Sequence, residues 1–418
     1  MDQKQDYLYS VLVPPKTPLG IIKRFICYIL LTIMIMAASS GLYYAAYHYT
    51  ATNPDRKTVD APFYDTNNYR AITLPNRLQA LLVSNPNTEI ASVALQVGVG
   101  SFSDPEDIEG VAHLCMHLAL LGSKNYPDGQ FLDYLTNYTG FQESIIDLEK
   151  TTLSFQLVSG ALEKALLMFS DMFIEPVFVQ ADMEEALAAI SAEMEKNYGS
   201  TPWRVHSLLQ LLSSMDHPFS RFMSGNNETL STASESEATS LYNAVKKFFK
   251  DYYSSNIMTL VISSNQDLNT LENWTKTSFT MIPDKSVTVP SFNSFGNPFE
   301  GSKETYTEFL PVGQENEIYL LFYTMPLDKY YPEKPFEYLQ HLLEYKGEGS
   351  LSEYLADLSY AQDIKVSVET NATFGSIVQV KATLAEEAVA YPDLFLIAFF
   401  SYIDLVKSQG INRQIWDN

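Results

Sequence analysis

Hydrophobic and polar positions alternate along two stretches near residue 80, and a period of two residues indicates β-strands. The stretches are ITLPNRLQALLVS (72–84) and IASVALQVGVGS (90–101), with a turn at Asn85-Pro86-Asn87 between them. Apolar residues then recur at helical spacing in VAHLCMHLALL, which predicts a helix that ends near Gly122. A strand (153–158) and a long amphipathic helix follow. The pattern therefore predicts an α+β unit.

The second half of the chain repeats this order of elements. HLALLGSKNYPDGQFLDYL and HLLEYKGEGSLSEYL both predict a helix, a Gly-marked break and a helix, and each is followed by strands and a long helix. A Pro- and Gly-rich stretch without any period separates the halves and predicts a linker at 286–302. We therefore predict related domains at 69–285 and 303–418. The second ends at Asn418 before it matches the length of the first, so we expect one complete and one partial domain.

The N-terminal region contains a long uncharged stretch. Phe25–Tyr47 is a run of 23 residues without a charge, which is enough for a single transmembrane helix. Four basic residues precede the run and only two follow it closely, so we expect a cytoplasmic tail (1–24), a linker (48–68) and an extracytoplasmic or lumenal bulk. A mitochondrial membrane is the less favoured location, because the first 20 residues contain no Arg and two Asp.

Composition and charge narrow the classes of partner. The 418 residues are 46% hydrophobic, which suits globular domains, and carry a net charge of -23. Such acidity argues against a nucleic-acid partner, because a polyanion would be repelled. Only two cysteines are present, Cys27 and Cys115, so no disulfide framework supports the fold.

Two histidines form the first candidate site. His113 and His117 are four residues apart, so both rings leave the same face of the predicted helix and can hold one zinc ion. A catalytic zinc site needs a third protein ligand, often a carboxylate. The pair alone is a weak signal, because such spacing also arises by chance.

The residues that flank the histidine pair strengthen its assignment as a metal site. HLCMH is followed by AEMEKN, which places Glu193 76 residues after His117, and VGVGSFSDPEDIEGVAHL, LGSKNYP and HPFSRFMSGN surround these motifs. Over residues 68 to 418 the sequence resembles the M16 metallopeptidases, the insulysin/pitrilysin family of inverted zincins, whose motif is H-x-x-E-H. The resemblance implies M16/LuxS-like metallohydrolase domains, in which helices flank an antiparallel sheet. It also implies a peptide or protein partner, and zinc bound by His113, His117 and Glu193.

The local pattern also favours Glu193 over Glu195 as the inward carboxylate. On the helix predicted for 182–198, Glu193 shares its flank with Ala186, Ala189 and Ile190 beside the apolar stripe. Glu195 lies on a more solvated side and is most simply a surface residue.

Met116 is the departure that decides the functional prediction. The family has its general base at this position, a Glu that takes a proton from the attacking water and passes it to the leaving amine. A thioether has no useful basicity near neutral pH, and loss of a positioned general base typically lowers the rate by about 10²–10⁴. We therefore expect zinc binding without efficient peptide hydrolysis, that is, a pseudoenzyme.

Other departures from the family pattern also indicate an impaired peptidase. Ala186 occupies a place that is usually acidic in the family, and Glu143 falls near the place of an Asn that binds substrate backbone in insulysins. The change at Glu143 argues against binding of a peptide by strand addition. The family also closes a chamber with a second half, which supplies an Arg and a Tyr. The leading hypothesis is thus a membrane-anchored binding, scaffold or regulatory subunit, partnered by an active M16 subunit or by a missing C-terminal half.

Two alternatives remain open. The chain is an active zinc endopeptidase for short peptides if a base such as Glu143, Glu185 or a partner's carboxylate replaces the missing Glu. It is a purely structural domain if the fold is kept and the metal is not.

Overall fold

The computed structural model describes residues 56–57, 59, 61–62, 64–127, 129–231, 241–302, 304–313 and 316–416. Within these ranges no helix has the length and apolar character needed to cross a bilayer. The predicted membrane span at 25–47 and the tail before it lie outside the described residues.

The N-terminal domain is built on a seven-stranded sheet whose spatial order is β1-β2-β3-β7-β4-β6-β5. All neighbouring pairs are antiparallel except β3 and β7, which are parallel. The strands are β1 (Arg56–Lys57), β2 (Asn68–Thr73), β3 (Gln79–Ser84), β4 (Ile90–Val97), β5 (Phe141–Ile146), β6 (Thr151–Val158) and β7 (Met258–Ser264).

Helices cover one face of this sheet. Val93 and Leu95 of β4 pair with Phe155 and Leu153 of β6, and all four side chains are buried beneath the helices. The helices of this domain are α1 (Val111–Ala119), α2 (Gln130–Asn137), α3 (Leu162–Ile174), α4 (Met183–Tyr198), α5 (Thr201–Leu212), α6 (Asn227–Ser231), α7 (Leu241–Tyr252) and α8 (Leu268–Phe279). The predicted antiparallel sheet flanked by helices is therefore observed, with one parallel pair.

The C-terminal domain contains a three-stranded sheet of order β8-β10-β9. Its elements are β8 (Glu317–Thr324), α9 (Pro335–Glu344), α10 (Leu351–Asp357), β9 (Ala361–Ala372), β10 (Gly375–Leu384), α11 (Pro392–Gln409) and α12 (Arg413–Trp416). This order matches β4, α1, α2, β5, β6 and α3 of the first domain, and β8-β10-β9 repeats the β4-β6-β5 pairing. The internal repeat predicted from the sequence is confirmed at the level of topology.

One predicted strand is wrong. The run 72–84 is not one strand, because the chain turns between β2 and β3. Pro75 lacks an N–H for a sheet ladder, Arg77 has a φ of 65°, and the Leu74 and Arg77 amides donate to the Leu78 and Leu74 carbonyl oxygens. The two halves of the run therefore pair with each other as an antiparallel hairpin.

The two domains contact each other through a His–Glu hydrogen bond and an aromatic cluster. His206 Nδ1 of α5 lies 2.6 Å from Glu369 Oε1 of β9, and both side chains are largely shielded from solvent. Phe374 of the second domain packs against Phe102 and Phe219 of the first. Burial of these rings favours one fixed arrangement of the domains.

Candidate metal centre

Helix α1 presents the two histidines of the motif. Eight of its nine residues are buried, and His117 is the half-buried exception. A helix that is apolar on nearly all sides lies inside a domain. It packs against α4, α7 and β5, so His113 and His117 face α4 at the edge of the core.

The three donor groups predicted from the sequence converge. The Nε2 atoms of His113 and His117 are 3.1 Å apart. The Glu193 carboxylate of α4 faces both rings, with Oε2 3.3 Å from His113 Nε2 and Oε1 3.4 Å from His117 Nε2. Within the described ranges this is the single group of three or more His, Cys, Asp or Glu residues with the geometry to hold a metal ion.

These separations are close to those around a tetrahedral zinc ion, and the 3.1 Å between the two Nε2 atoms is slightly short. Bonds of about 2.0–2.2 Å at tetrahedral angles place the ligand atoms about 3.3–3.6 Å from one another. The donor set, two imidazole nitrogens and one carboxylate, is that of a zinc site with one further position open. Such a set of facing lone pairs requires a cation between them, either a proton or a metal ion. The role of His113, His117 and Glu193 as zinc ligands stays a prediction that this geometry favours.

The pKa values of the centre favour the states that bind metals. Burial lowers the pKa of His117, and the neighbouring His113 lowers it further. The close contact with His113 is the largest cause that lowers the pKa of Glu193. A neutral imidazole and an ionised carboxylate are the forms that coordinate a metal.

A backbone carbonyl orients the first histidine. His113 Nδ1–H donates to the Ser224 carbonyl oxygen at 2.8 Å, which leaves the Nε2 lone pair directed at the centre. Ser224 reaches this place because Gly225 lies against Gly110, where φ is 67° and 97° respectively. A Cβ on Gly110 would be 2.5 Å from Gly225 Cα, so only glycine permits this approach.

A buried carboxyl group holds the start of α1. Asp104 accepts hydrogen bonds from the Gly110 amide at 2.8 Å and the Ala112 amide at 2.7 Å. These are amides of the first turn, which have no partner within the helix. Burial raises the pKa of Asp104 to about 7. Asp104 lies in the flanking stretch VGVGSFSDPEDIEGVAHL, but the sequence analysis did not single it out.

Met116 occupies the turn between the two histidines, and its side chain is 2% exposed. Among the described residues, neither carboxylate considered as a replacement base forms an ion pair with the histidines. Glu143 is exposed on β5 and Glu185 is exposed on α4. In the described part of the chain, Glu193 alone forms an ion-pair contact with either ring. Burial also raises the pKa of the Cys115 thiol far above its usual range, so Cys115 supplies no thiolate beside the centre.

The predicted division between Glu193 and Glu195 agrees with the geometry. Glu193 contacts both rings and keeps a side chain that is 50% exposed, so the centre opens to solvent on this side. Glu195 is exposed and forms no contact with the histidines. The sequence analysis missed Ser224, although it lies in the flanking stretch HPFSRFMSGN, because spacing does not reveal a contact 111 residues away.

Comparisons with known proteins agree with this arrangement. A family model described as "Insulinase (Peptidase family M16)" matches residues 79–215, and "Peptidase M16 inactive domain" matches residues 240–418. The insulin-degrading enzyme of Drosophila melanogaster is 30% identical over 362 residues, which cover 86% of this chain and 36% of that enzyme.

Two solved structures share the fold. The crystal structure of pitrilysin aligns with a TM-score of 0.76 and 26% identity, covering 86% of this chain and 38% of that one. A protease from Helicobacter pylori aligns with a TM-score of 0.66 and 17% identity over 84% of this chain and 82% of its own, which shows the fold alone. The chain spans about a third of the length of the curated relatives that it matches. With both domain models matched in order, and with this fold, the chain belongs to peptidase family M16, the insulinase family.

Proposed function

We propose that this chain is a membrane-anchored M16 unit that binds zinc and also binds peptides, but hydrolyses the peptides poorly or not at all. The observation that carries the proposal is the combination of a complete ligand set with a missing base. His113, His117 and Glu193 lie 3.1–3.4 Å from one another, whereas Met116 stands where the family motif has its Glu.

The first part of the proposal is zinc binding. Zinc, when bound, supplies Lewis acidity that polarises a peptide carbonyl and acidifies water. The residues of this chain hold the donors in place. The Ser224 carbonyl fixes the His113 ring, and the packing of α1 against α4 brings Glu193 opposite both imidazoles. These contacts do not involve Met116, so its side chain does not prevent a metal from binding.

The second part is the loss of proton transfer. A thioether sulfur is a weak acceptor and cannot carry the proton of the attacking water. Loss of such a base typically lowers the rate by about 10²–10⁴. Glu193 is committed to the two histidines, and neither Glu143 nor Glu185 forms an ion-pair contact with them in the described residues. This supports an impaired hydrolase over an active one with a substitute base.

The third part is peptide binding as a subunit. Strand β5 is the edge of the large sheet and pairs only with β6 among the described strands. Phe141 and Ile145 are 54% and 56% exposed on one face of this strand, with Glu143 between them. Glu143 weighs against this edge, because insulysins have an Asn near its place that binds substrate backbone. The exposed Phe141 and Ile145 weigh for it, because a free edge with apolar side chains suits the addition of an extended peptide. We propose that the chain presents peptides, or pairs with an active M16 subunit, from a membrane anchor at 25–47 with its bulk outside the cytoplasm.

The test compares the full chain, purified in detergent, with matched variants. We expect about one zinc ion per chain, lost in His113→Ala, and cleavage of a fluorogenic peptide no faster than by His113→Ala. Met116→Glu should restore metal-dependent cleavage, whereas Met116→Gln, which has the same length and no basic oxygen, should not. Turnover by the unmodified chain above the His113→Ala level would establish the active alternative. Absence of stoichiometric zinc would leave a structural domain.

A further inference from the structure

Glu143 lies in the middle of β5, the edge strand of the large sheet, and its charge is not neutralised by a neighbour. Its side chain is exposed between those of Phe141 and Ile145 on one face of the strand. Among the described residues its carboxylate forms no ion pair. An added strand would therefore meet two apolar side chains with one carboxylate between them, and the proposed function does not say which peptides suit that pattern.

The neighbouring strand does not cover the two apolar side chains. The residues of β6 that lie directly opposite Phe141, Glu143 and Ile145 are all polar, namely Gln156, Ser154 and Thr152. Side chains directly opposite each other in a sheet are the ones that interact. Apolar partners for Phe141 and Ile145 on this face therefore have to come from the open side of β5.

The backbone of β5 determines which of its residues an added strand would approach most closely. Ser154 Oγ donates to the Glu143 carbonyl oxygen at 3.2 Å, so the backbone groups of Glu143 face β6. Backbone groups alternate in direction along a strand, so those of Gln142 and Ser144 face the open edge. An antiparallel peptide would bond to these groups through main-chain atoms alone, which requires no Asn at position 143.

This register places Glu143 in a non-hydrogen-bonded pair with the peptide. In such pairs the Cα atoms are about 4.5 Å apart, and the side chains are closer than in hydrogen-bonded pairs. A cation directly opposite the carboxylate is favourable, and an anion there is unfavourable. The net charge of -23 also attracts cationic peptides to the chain as a whole, but only Glu143 determines where along the peptide the cation is preferred.

We propose that β5 selects extended peptides that have a Lys or Arg opposite Glu143 and an apolar side chain two positions to either side of it. The inference rests on the peptide binding of the proposed function, and it names the class of peptide. The competing interpretation is that Phe141, Glu143 and Ile145 are ordinary surface residues, since single exposed apolar side chains are common.

Binding of short labelled peptides to the full chain in detergent separates the two interpretations. Each peptide carries Val, a central residue and Phe at alternate positions with Thr between them, and the central residue is Lys, Gln or Glu. By fluorescence anisotropy, we expect the Lys peptide to bind about 1.5- to 5-fold more tightly than the Gln peptide, the range for a cross-strand pair of opposite charge. The Glu peptide should bind more weakly than the Gln peptide by a similar factor.

Variants of the chain show whether Glu143 is the source of this order. Glu143→Lys should reverse the order, and Glu143→Gln should abolish the difference between the Lys and Glu peptides. The matched control Glu387→Gln removes the same charge from an exposed position in the second domain and should leave the order unchanged. Urea unfolding of each variant confirms that the fold is retained.

Two results would overturn the inference and leave the proposed peptide binding intact. One is an order that Glu143→Lys does not change, and the other is a control variant that weakens the preference as much as Glu143→Gln does. If none of the three peptides binds to the unmodified chain, the peptide-binding part of the proposed function is refuted together with the inference.

Discussion

Gly225 and Gly110 approach so closely that a single added methyl group should disturb the metal centre. In Gly225→Ala the new Cβ would lie 2.8 Å from Gly110 Cα and 3.1 Å from the Glu109 carbonyl oxygen. Both are backbone atoms, which cannot rotate away as a side chain can. Gly225 also has a φ of 67°, a backbone conformation that residues other than glycine rarely adopt.

These two effects set the expected loss of stability. The left-handed conformation alone costs about 1–2 kcal/mol for a residue with a Cβ. Crowding in a packed site costs about 1–3 kcal/mol more. We therefore expect Gly225→Ala to lower the free energy of unfolding by about 2–5 kcal/mol. Because Ser224 is the neighbour that orients His113, zinc affinity should also fall, by about 10–100-fold.

The chain offers a matched control in Gly129. It has a φ of 72°, nearly the same as Gly225, but a Cβ there would meet no atom within 4 Å. Gly129→Ala should therefore lose only the conformational part, about 1–2 kcal/mol, and keep its zinc affinity. Urea unfolding of the full chain measures the first quantity, and competition with a zinc chelator measures the second. If the two variants unfold within about 0.5 kcal/mol of each other and bind zinc equally, the close approach does not support the centre and the reasoning fails.

Two further predictions concern the interdomain contact and the carboxyl group at the start of α1. Glu369→Gln should lower the free energy of unfolding by about 1.5–3 kcal/mol, because it weakens a shielded contact with His206. The control Glu175→Gln, in an exposed pair with Lys124, should lose less than about 1 kcal/mol in the same urea titration. Equal losses would contradict a role for the interdomain contact. Asp104 has a pKa of about 7 in the folded chain against 3.8 for an ordinary Asp, so the native state retains a proton between these values and its stability should fall, by at most about 4 kcal/mol, as the pH rises from about 4 to 7. Asp104→Asn should flatten that part of a stability profile measured from pH 4 to 8, and an unchanged slope would show that Asp104 is not its source.

The sequence predicted the parts of the centre that depend on local periodicity. The spacing of His113 and His117 determines that both rings leave one face of α1, and the apolar stripe of α4 determines which carboxylate turns inward. Both features are properties of a single helix, so they can be read without knowledge of the fold. The order of elements in the second domain was also predictable, because the local pattern of the first domain repeats there.

The features that the sequence did not reveal are contacts between distant segments. Ser224 meets His113 across 111 residues, and Gly225 meets Gly110 through the backbone alone, so no side-chain pattern marks either contact. The break at Pro75 was visible in the sequence, but the alternation on both sides of it suggested one strand where the chain forms two. In each case, contacts that the local sequence pattern does not encode determined the structure.

The positions of these contacts separate metal binding from proton transfer in physical terms. Asp104, Ser224 and the Gly110–Gly225 approach act on the backbone of α1 and on the His113 ring, and none of them depends on the side chain at 116. Position 116 contributes its chemistry through the side chain alone, because its backbone is already fixed within a buried helix. A change there can therefore remove a base while the donor atoms stay 3.1–3.4 Å apart. The centre can thus lose proton transfer without a change of fold or of ligand set.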